Sequence, residues 1–167
     1  MLTLLCLTSE VKGAAFIRAA KRQGCRVLLL TREKFRDAEW PRESLDDIFY
    51  MPSLENVQHV INAVSYLARA QAIDQVVPLD DFEVETAGFL REHLRLPGMG
   101  VSLARHFRDK LAMRTVAAAA GVRVPAFTGV FTHDRLRAFM DRVPAPWLLK
   151  PRAEASAMGI KKLHGPD

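Results

Sequence analysis

The sequence predicts an α/β fold: a Rossmann-like, doubly wound parallel sheet at the front, followed by a smaller α+β segment. Three observations carry this. Two apolar runs too continuous for half-exposed strands, Met1–Thr8 and Cys25–Thr31, flank a segment with helical apolar spacing, which is the pattern of a βαβ crossover. A cluster of turn residues from Leu96 to Gly100 then interrupts the alternation. Charge also changes sign along the chain. Residues 1–100 carry 12 Lys and Arg against 14 Asp and Glu, whereas residues 101–167 carry 12 against 5.

In order, the first strand leads through Ser9-Glu10-Val11-Lys12-Gly13 into a helix over Ala14–Arg22 that ends at Gly24. The second strand is followed by polar, irregular chain to Ser53, containing a short strand at Ile48–Met51. Leu54–Ala70 has amphipathic spacing with Ser53 as its cap. Ile73–Pro78 is the next strand, and Asp80–His93 is loop and helix. The expected domain boundary lies near residue 98, giving domains 1–98 and 99–167. Beyond it, Ser102 caps a helical stretch through Arg108, and an alanine-rich helix runs over Asp109–Ala120 to Gly121. Pro125–Thr132 reads as a strand, Asp134–Val143 as a helix and Trp147–Lys150 as a strand. Leu4, Cys6, Val27, Leu29, Val76 and Val77 are the expected sheet core.

Composition excludes several classes. With 49% hydrophobic and 26% charged residues the chain is ordinary globular material. No apolar run reaches the roughly 18 residues of a membrane span, and Met1–Thr8 lacks the basic flank and cleavage site of a secretory signal. The expected location is the cytoplasm, with no membrane partner. Cys6 and Cys25 sit in strand-like runs and read as buried hydrophobes. The five histidines show no pairing at ligand spacing, so no metal site is expected in this chain. The first turn is not G-x-G-x-x-G, which excludes a nicotinamide site, and neither a P-loop nor a nucleophile elbow is present. Nucleic acid is disfavoured, because aromatic residues are not interleaved with the basic residues of 101–167.

Open α/β sheets bind ligands beyond the carboxyl ends of their strands. Glu10 and Lys12 after the first strand, and Asp80, Asp81 and Glu83 after the fourth, are therefore candidate substrate-binding residues. Solvated loop charges also explain the first group, and an acidic first turn complementing a helix dipole the second. A lysine ending a buried strand, Lys150, invites an anion. Lys110 and Arg114 lie one turn apart on a helix and can address one polyanion.

The ordered set Leu96-Pro97-Gly98, Asp109-Lys110, Ala120-Gly121-Val122-Arg123-Val124-Pro125 and Trp147-Leu148-Leu149-Lys150-Pro151-Arg152, followed by the small-residue stretch Ala153–Ile160, resembles the ATP-grasp ligases. The resemblance spans the chain: residues 1–98 are similar to the α/β domain preceding the ATP-grasp domain, and 99–167 to the first part of that domain. It implies ATP as a ligand, held by Lys110, Arg114, Lys150, Arg152, Ser156, Ala157, Met158 and Gly159. It also implies activation of a carboxylate as an acyl phosphate and attack by an amine or thiol. Glycines usual in the phosphate loop are replaced here by Ala153, Ala155, Ser156 and Ala157. The resemblance places the Mg²⁺ ligands and the adenine hinge beyond residue 167, so the chain is expected to be the N-terminal fragment of a ligase and inactive alone, with no catalytic residue of its own. The other reading is a non-catalytic α/β module binding a small ligand or partner. Substrate identity and homo-oligomerisation are left open.

Overall fold

A computed structural model describes residues 1–155 and 157–165. The chain divides into two compact units, Met1–Ala104 and the residues from Arg105 on.

The first unit is built on β1 (Thr3–Thr8), β2 (Arg26–Arg32), β3 (Asp47–Met51) and β4 (Gln75–Pro78), with α1 (Ala14–Arg22), α2 (Val57–Leu67) and α3 (Val84–Leu94) between and after them. The strands form one parallel sheet in the order β3-β2-β1-β4. Leu4 pairs with Val27 and Cys6 with Leu29 on one side, while Leu5 pairs with Val76 on the other. Successive residues of β1 feed opposite layers. Leu5 and Leu7 join Val60 and Val64 of α2 and Leu90 of α3, whereas Leu4 and Cys6 join Ile17 of α1 and Trp40. This two-sided burial explains why the central strands read as unbroken apolar runs. Burial pushes the Cys6 thiol up to about 12, so it stays a neutral core group.

The chain winds outward from β1 to β3 and then returns to β4 beside β1, so the order of strands reverses between β1 and β4. Five of the six expected core residues are buried; Val77 is only half-buried, because β4 is an edge strand. The cap of α2 is Asn56, not Ser53: its side chain accepts from Gln58 and His59 N–H groups at 3.1 and 3.2 Å. Leu54 packs into the core ahead of the helix instead of starting it.

The unit closes around Arg91 of α3. Its guanidinium donates to the Val76 carbonyl at 2.6 and 3.1 Å and to the Met99 carbonyl at 3.0 Å. α4 (Val101–Arg108) starts there, capped by Glu92 through the Val101 N–H at 2.8 Å. Ser102 lies within this helix, not at its cap. Gly88 lets α3 approach it: a Cβ there would lie 2.9 Å from the Val101 backbone.

The second unit holds α5 (Lys110–Ala119), α6 (His133–Arg142) and an antiparallel pair, β5 (Trp147–Leu149) and β6 (Lys161–Leu163). Gly121, at φ 77°, ends α5 as expected. The strand expected over Pro125–Thr132 does not form. That segment finds no ladder partner, and β-branched residues alone do not make a strand. Among the described residues from Arg105 on, only Asp109 is fully buried, and Val122, Val130, Phe131 and Leu148 are each more than half exposed.

Candidate functional site

The carboxyl edge of the first sheet is a closed polar network. At the β1–β4 reversal Asp80, itself buried, gathers five donors. Its Oδ2 accepts from the Thr8 hydroxyl and the Ser9 N–H, both at 2.7 Å, and from the Glu10 N–H at 3.1 Å. Its Oδ1 accepts from the Phe82 and Glu83 N–H groups at 2.9 and 3.1 Å. One carboxylate thus ties the loop after β1 to the loop after β4. Glu83, 3% exposed, accepts the Ser9 hydroxyl through Oε1, while Oε2 is buried with no hydrogen-bond partner among the described residues. Burial drives the Glu83 carboxyl above its usual range, opposed by the Ser9 hydrogen bond and reinforced by the Asp80 charge. Glu10 is half-buried and takes an ion pair from Arg32 at 2.8 Å. Lys12 and Asp81 are exposed. Of the five candidate substrate residues, then, Asp80 and Glu83 are spent on joining loops, and Glu10, Lys12 and Asp81 reach solvent.

In the second unit, α5 and the strand β5 bring Lys110, Arg114, Lys150 and Arg152 to the wall of one cavity of about 600 Å³. Its remaining wall is mostly apolar, with Phe127, Phe131, Phe139 and Trp147 prominent. Lys110 and Arg114 arrive from successive turns of α5, and Lys150 arrives directly after β5. The four cations that the resemblance assigned to ATP therefore meet at one concave surface, which suits an anion with an apolar portion.

The base of the small-residue loop is fastened to the start of α5. Asp109 caps the helix, its Oδ1 accepting from the Leu111 and Ala112 N–H groups at 2.9 and 3.2 Å. The same carboxylate receives the Arg152 guanidinium as a fork, Nε to Oδ1 at 3.0 Å and Nη2 to Oδ2. The Arg152 hydrogen bonds hold the Asp109 carboxyl below its usual range. The Lys110 N–H donates to the Arg152 carbonyl at 2.9 Å, and its Nζ donates to the Glu154 carbonyl. Asp109 was legible as a helix start; its link to Arg152, 43 positions on, had no local signal in the sequence.

Ala157 and Gly159 hold φ values of 60° and 68°, so an alanine occupies a conformation that normally selects glycine. A Cβ on Gly159 would lie 2.8 Å from the Pro151 ring. Neither they nor Met158 line the cavity, and Ser156 lies outside the described residues. Among the described residues no three His, Cys, Asp or Glu side chains gather as a metal site requires. No helix among them is long and apolar enough to cross a membrane.

No family model matches the chain. It is 29% identical over 103 residues to the alanine–anticapsin ligase of Bacillus subtilis, a match covering 62% of this chain and 22% of that protein. Its fold is similar to the crystal structure of an L-amino acid ligase from Bacillus licheniformis, with a TM-score of 0.79 at 17% identity over 99% of this chain and 38% of the other. It is also similar to the biotin carboxylase domain of 2-oxoglutarate carboxylase from Hydrogenobacter thermophilus, solved with MgADP and bicarbonate. There the TM-score is 0.73 at 18% identity, over 96% of this chain and 37% of the other. The chain spans about a fifth of the length of the curated relative. Its homologues are ATP-grasp ligases, and it corresponds to the N-terminal region of those enzymes.

Proposed function

We propose that this chain is the front part of an ATP-dependent ligase that joins a carboxylate to an amine or thiol, and that its second unit addresses the phosphates of ATP. The observation that carries the reading is the meeting of Lys110, Arg114 and Lys150 at one apolar-walled cavity. Lysine and arginine side chains there neutralise the polyphosphate and hold it in one orientation, while the aromatic wall limits water and strengthens each charge contact. The chemistry is phosphoryl transfer to the carboxylate followed by attack of the nucleophile, in which positioning and charge neutralisation are the protein's contributions. The loop over Ala153–Ile160, including Ser156, Ala157, Met158 and Gly159, covers the phosphates. Its α-left alanine supports a backbone shaped for close approach. At the sheet edge of the first unit, Glu10, Lys12 and Asp81 are the groups able to touch the carboxylate or amine substrate.

Magnesium does not fit the donors of the described residues, so no step is routed through it. The exposed apolar side chains of the second unit support its being one part of a larger ATP-binding domain.

Trp147 lines the cavity and reports on it. Titration of the chain with ATP, followed by Trp147 emission against a Trp147→Phe control, should give saturable binding with a dissociation constant of roughly millimolar. Binding should be lost in a Lys110→Ala, Lys150→Ala double variant. An unchanged emission at saturating ATP, or equal binding by the double variant, rejects the assignment.

A further inference from the structure

Arg152 lines the cavity, yet its guanidinium fork is engaged by Asp109. We infer that Arg152 is a positioning residue: through Asp109 it fixes the base of the Ala153–Ile160 loop on the first turn of α5, and the phosphate contacts are left to Lys110 and Lys150. The inference rests on the nucleotide reading for its ligand, and on the clasp itself for its mechanism.

The geometry separates this role from direct phosphate binding. The N–H groups of Lys110, Leu111 and Ala112, those a helix N-terminus would offer an anion, are taken by the Arg152 carbonyl and the Asp109 carboxylate. The start of α5 is therefore occupied by protein groups. Asp109 is 6% exposed, and a bidentate pair with a buried carboxylate fixes direction as well as distance. Lys110 binds the same stretch of chain twice more, through its N–H and its Nζ. Together with a longer contact from Lys110 Nζ to the Arg152 carbonyl at 3.5 Å, five hydrogen bonds among the described residues thus converge on residues 152–154. The Lys110 ammonium is held by neutral carbonyls, those of Glu154 and Arg152, which an arriving phosphate can replace as its acceptor; the Asp109–Arg152 pair, charge against charge, remains when that exchange occurs.

A double-mutant cycle tests the assignment. Asp109→Asn keeps a good helix cap and removes the charge, so it isolates the clasp from the cap. If Arg152 acts through Asp109, then Asp109→Asn and Arg152→Ala each weaken ATP binding about tenfold, and the double variant is no weaker than either alone. If Arg152 contacts phosphate directly, freeing it from the acid leaves Asp109→Asn binding as well as the parent or better, and the effects add; that outcome overturns the proposal. Amide hydrogen exchange gives a readout that needs no nucleotide. Both variants should speed exchange at the Lys110 N–H and at Ala153–Ala155 while leaving α6 unchanged, and Arg152→Lys should restore protection only in part. Unchanged loop exchange in both variants overturns the positioning role even where ATP binds. Failure of the parent chain to bind ATP, with loop exchange altered as described, counts against the nucleotide reading alone.

Discussion

The Thr8 hydroxyl donates to Asp80 Oδ2 at 2.7 Å across 72 positions of sequence, joining the end of β1 to the loop after β4, the two parallel strands between which the strand order reverses. Because four further donors converge on the same carboxylate, Asp80→Ala leaves buried N–H groups without an acceptor. The expected loss is about 3 kcal/mol of stability, read as a lowered urea midpoint with unchanged slope. A shift equivalent to less than about 0.5 kcal/mol would show that water replaces the carboxylate at no cost, and that the two loops are independent.

Glu83 should make stability depend on pH in a defined direction. Its folded-state pKa is raised above the ordinary value of 4.5, chiefly by burial, so the folded chain holds this proton more tightly than the unfolded chain. Its contribution is fully favourable below the ordinary value and is lost as pH rises through the raised one. Glu83→Gln mimics the protonated form. Relative to the parent, it should gain stability as pH rises above the ordinary value of 4.5, by about 1.4 kcal/mol for each unit of displacement. Parallel stability curves across that range would mean that Glu83 titrates as a solvated carboxylate.

Gly13 enters α1 at φ 84°, and a Cβ there would lie 2.5 Å from Leu79 Cδ1 and 2.9 Å from Leu79 Cβ. Gly13→Ala combines a left-handed backbone penalty with a clash against the loop after β4. A destabilisation of about 2 kcal/mol or more is expected in thermal unfolding. Wild-type stability for this variant would require the loop to be free to shift, contrary to its fastening by Asp80.

Lys150→Ala should weaken ATP binding by about 1–3 kcal/mol, the loss of one charge-assisted phosphate contact, without changing the melting temperature of the ligand-free chain. Equal affinity in calorimetric titration would make Lys150 a bystander at the cavity wall.

Much of the first unit was legible because its signals are redundant. The α1 limits, the two central strands and their two-sided burial follow from apolar runs that no other arrangement could bury. Edges were harder. Ser53 and Asn56 are both capping residues, and only the packing of Leu54 selects between them. In Pro125–Thr132 the residue types suit a strand, but strands exist by pairing, and no sequence window shows an absent partner. The site divided in the same way. Lys110, Arg114 and Lys150 were readable from helical spacing and strand ends. Asp80 was read as a substrate-binding candidate or part of an acidic first turn, because four of the five donors around it are backbone N–H groups, which every sequence has and none displays.

The Arg91 fork also bears on where this chain can be cut or joined to another. Sequence punctuation invites a cut at Pro97-Gly98, yet Arg91 needs the Met99 carbonyl, Glu92 caps the helix beginning at Val101, and Ala104 is completely buried. Cutting at the turn would strand a buried cation one acceptor short and uncover the seat that Gly88 makes for the Val101 backbone. For an engineer shuffling front ends between related enzymes, the workable seam lies beyond Ala104: the first turn of α4 travels with the sheet, and the exchangeable module is longer than its glycines suggest.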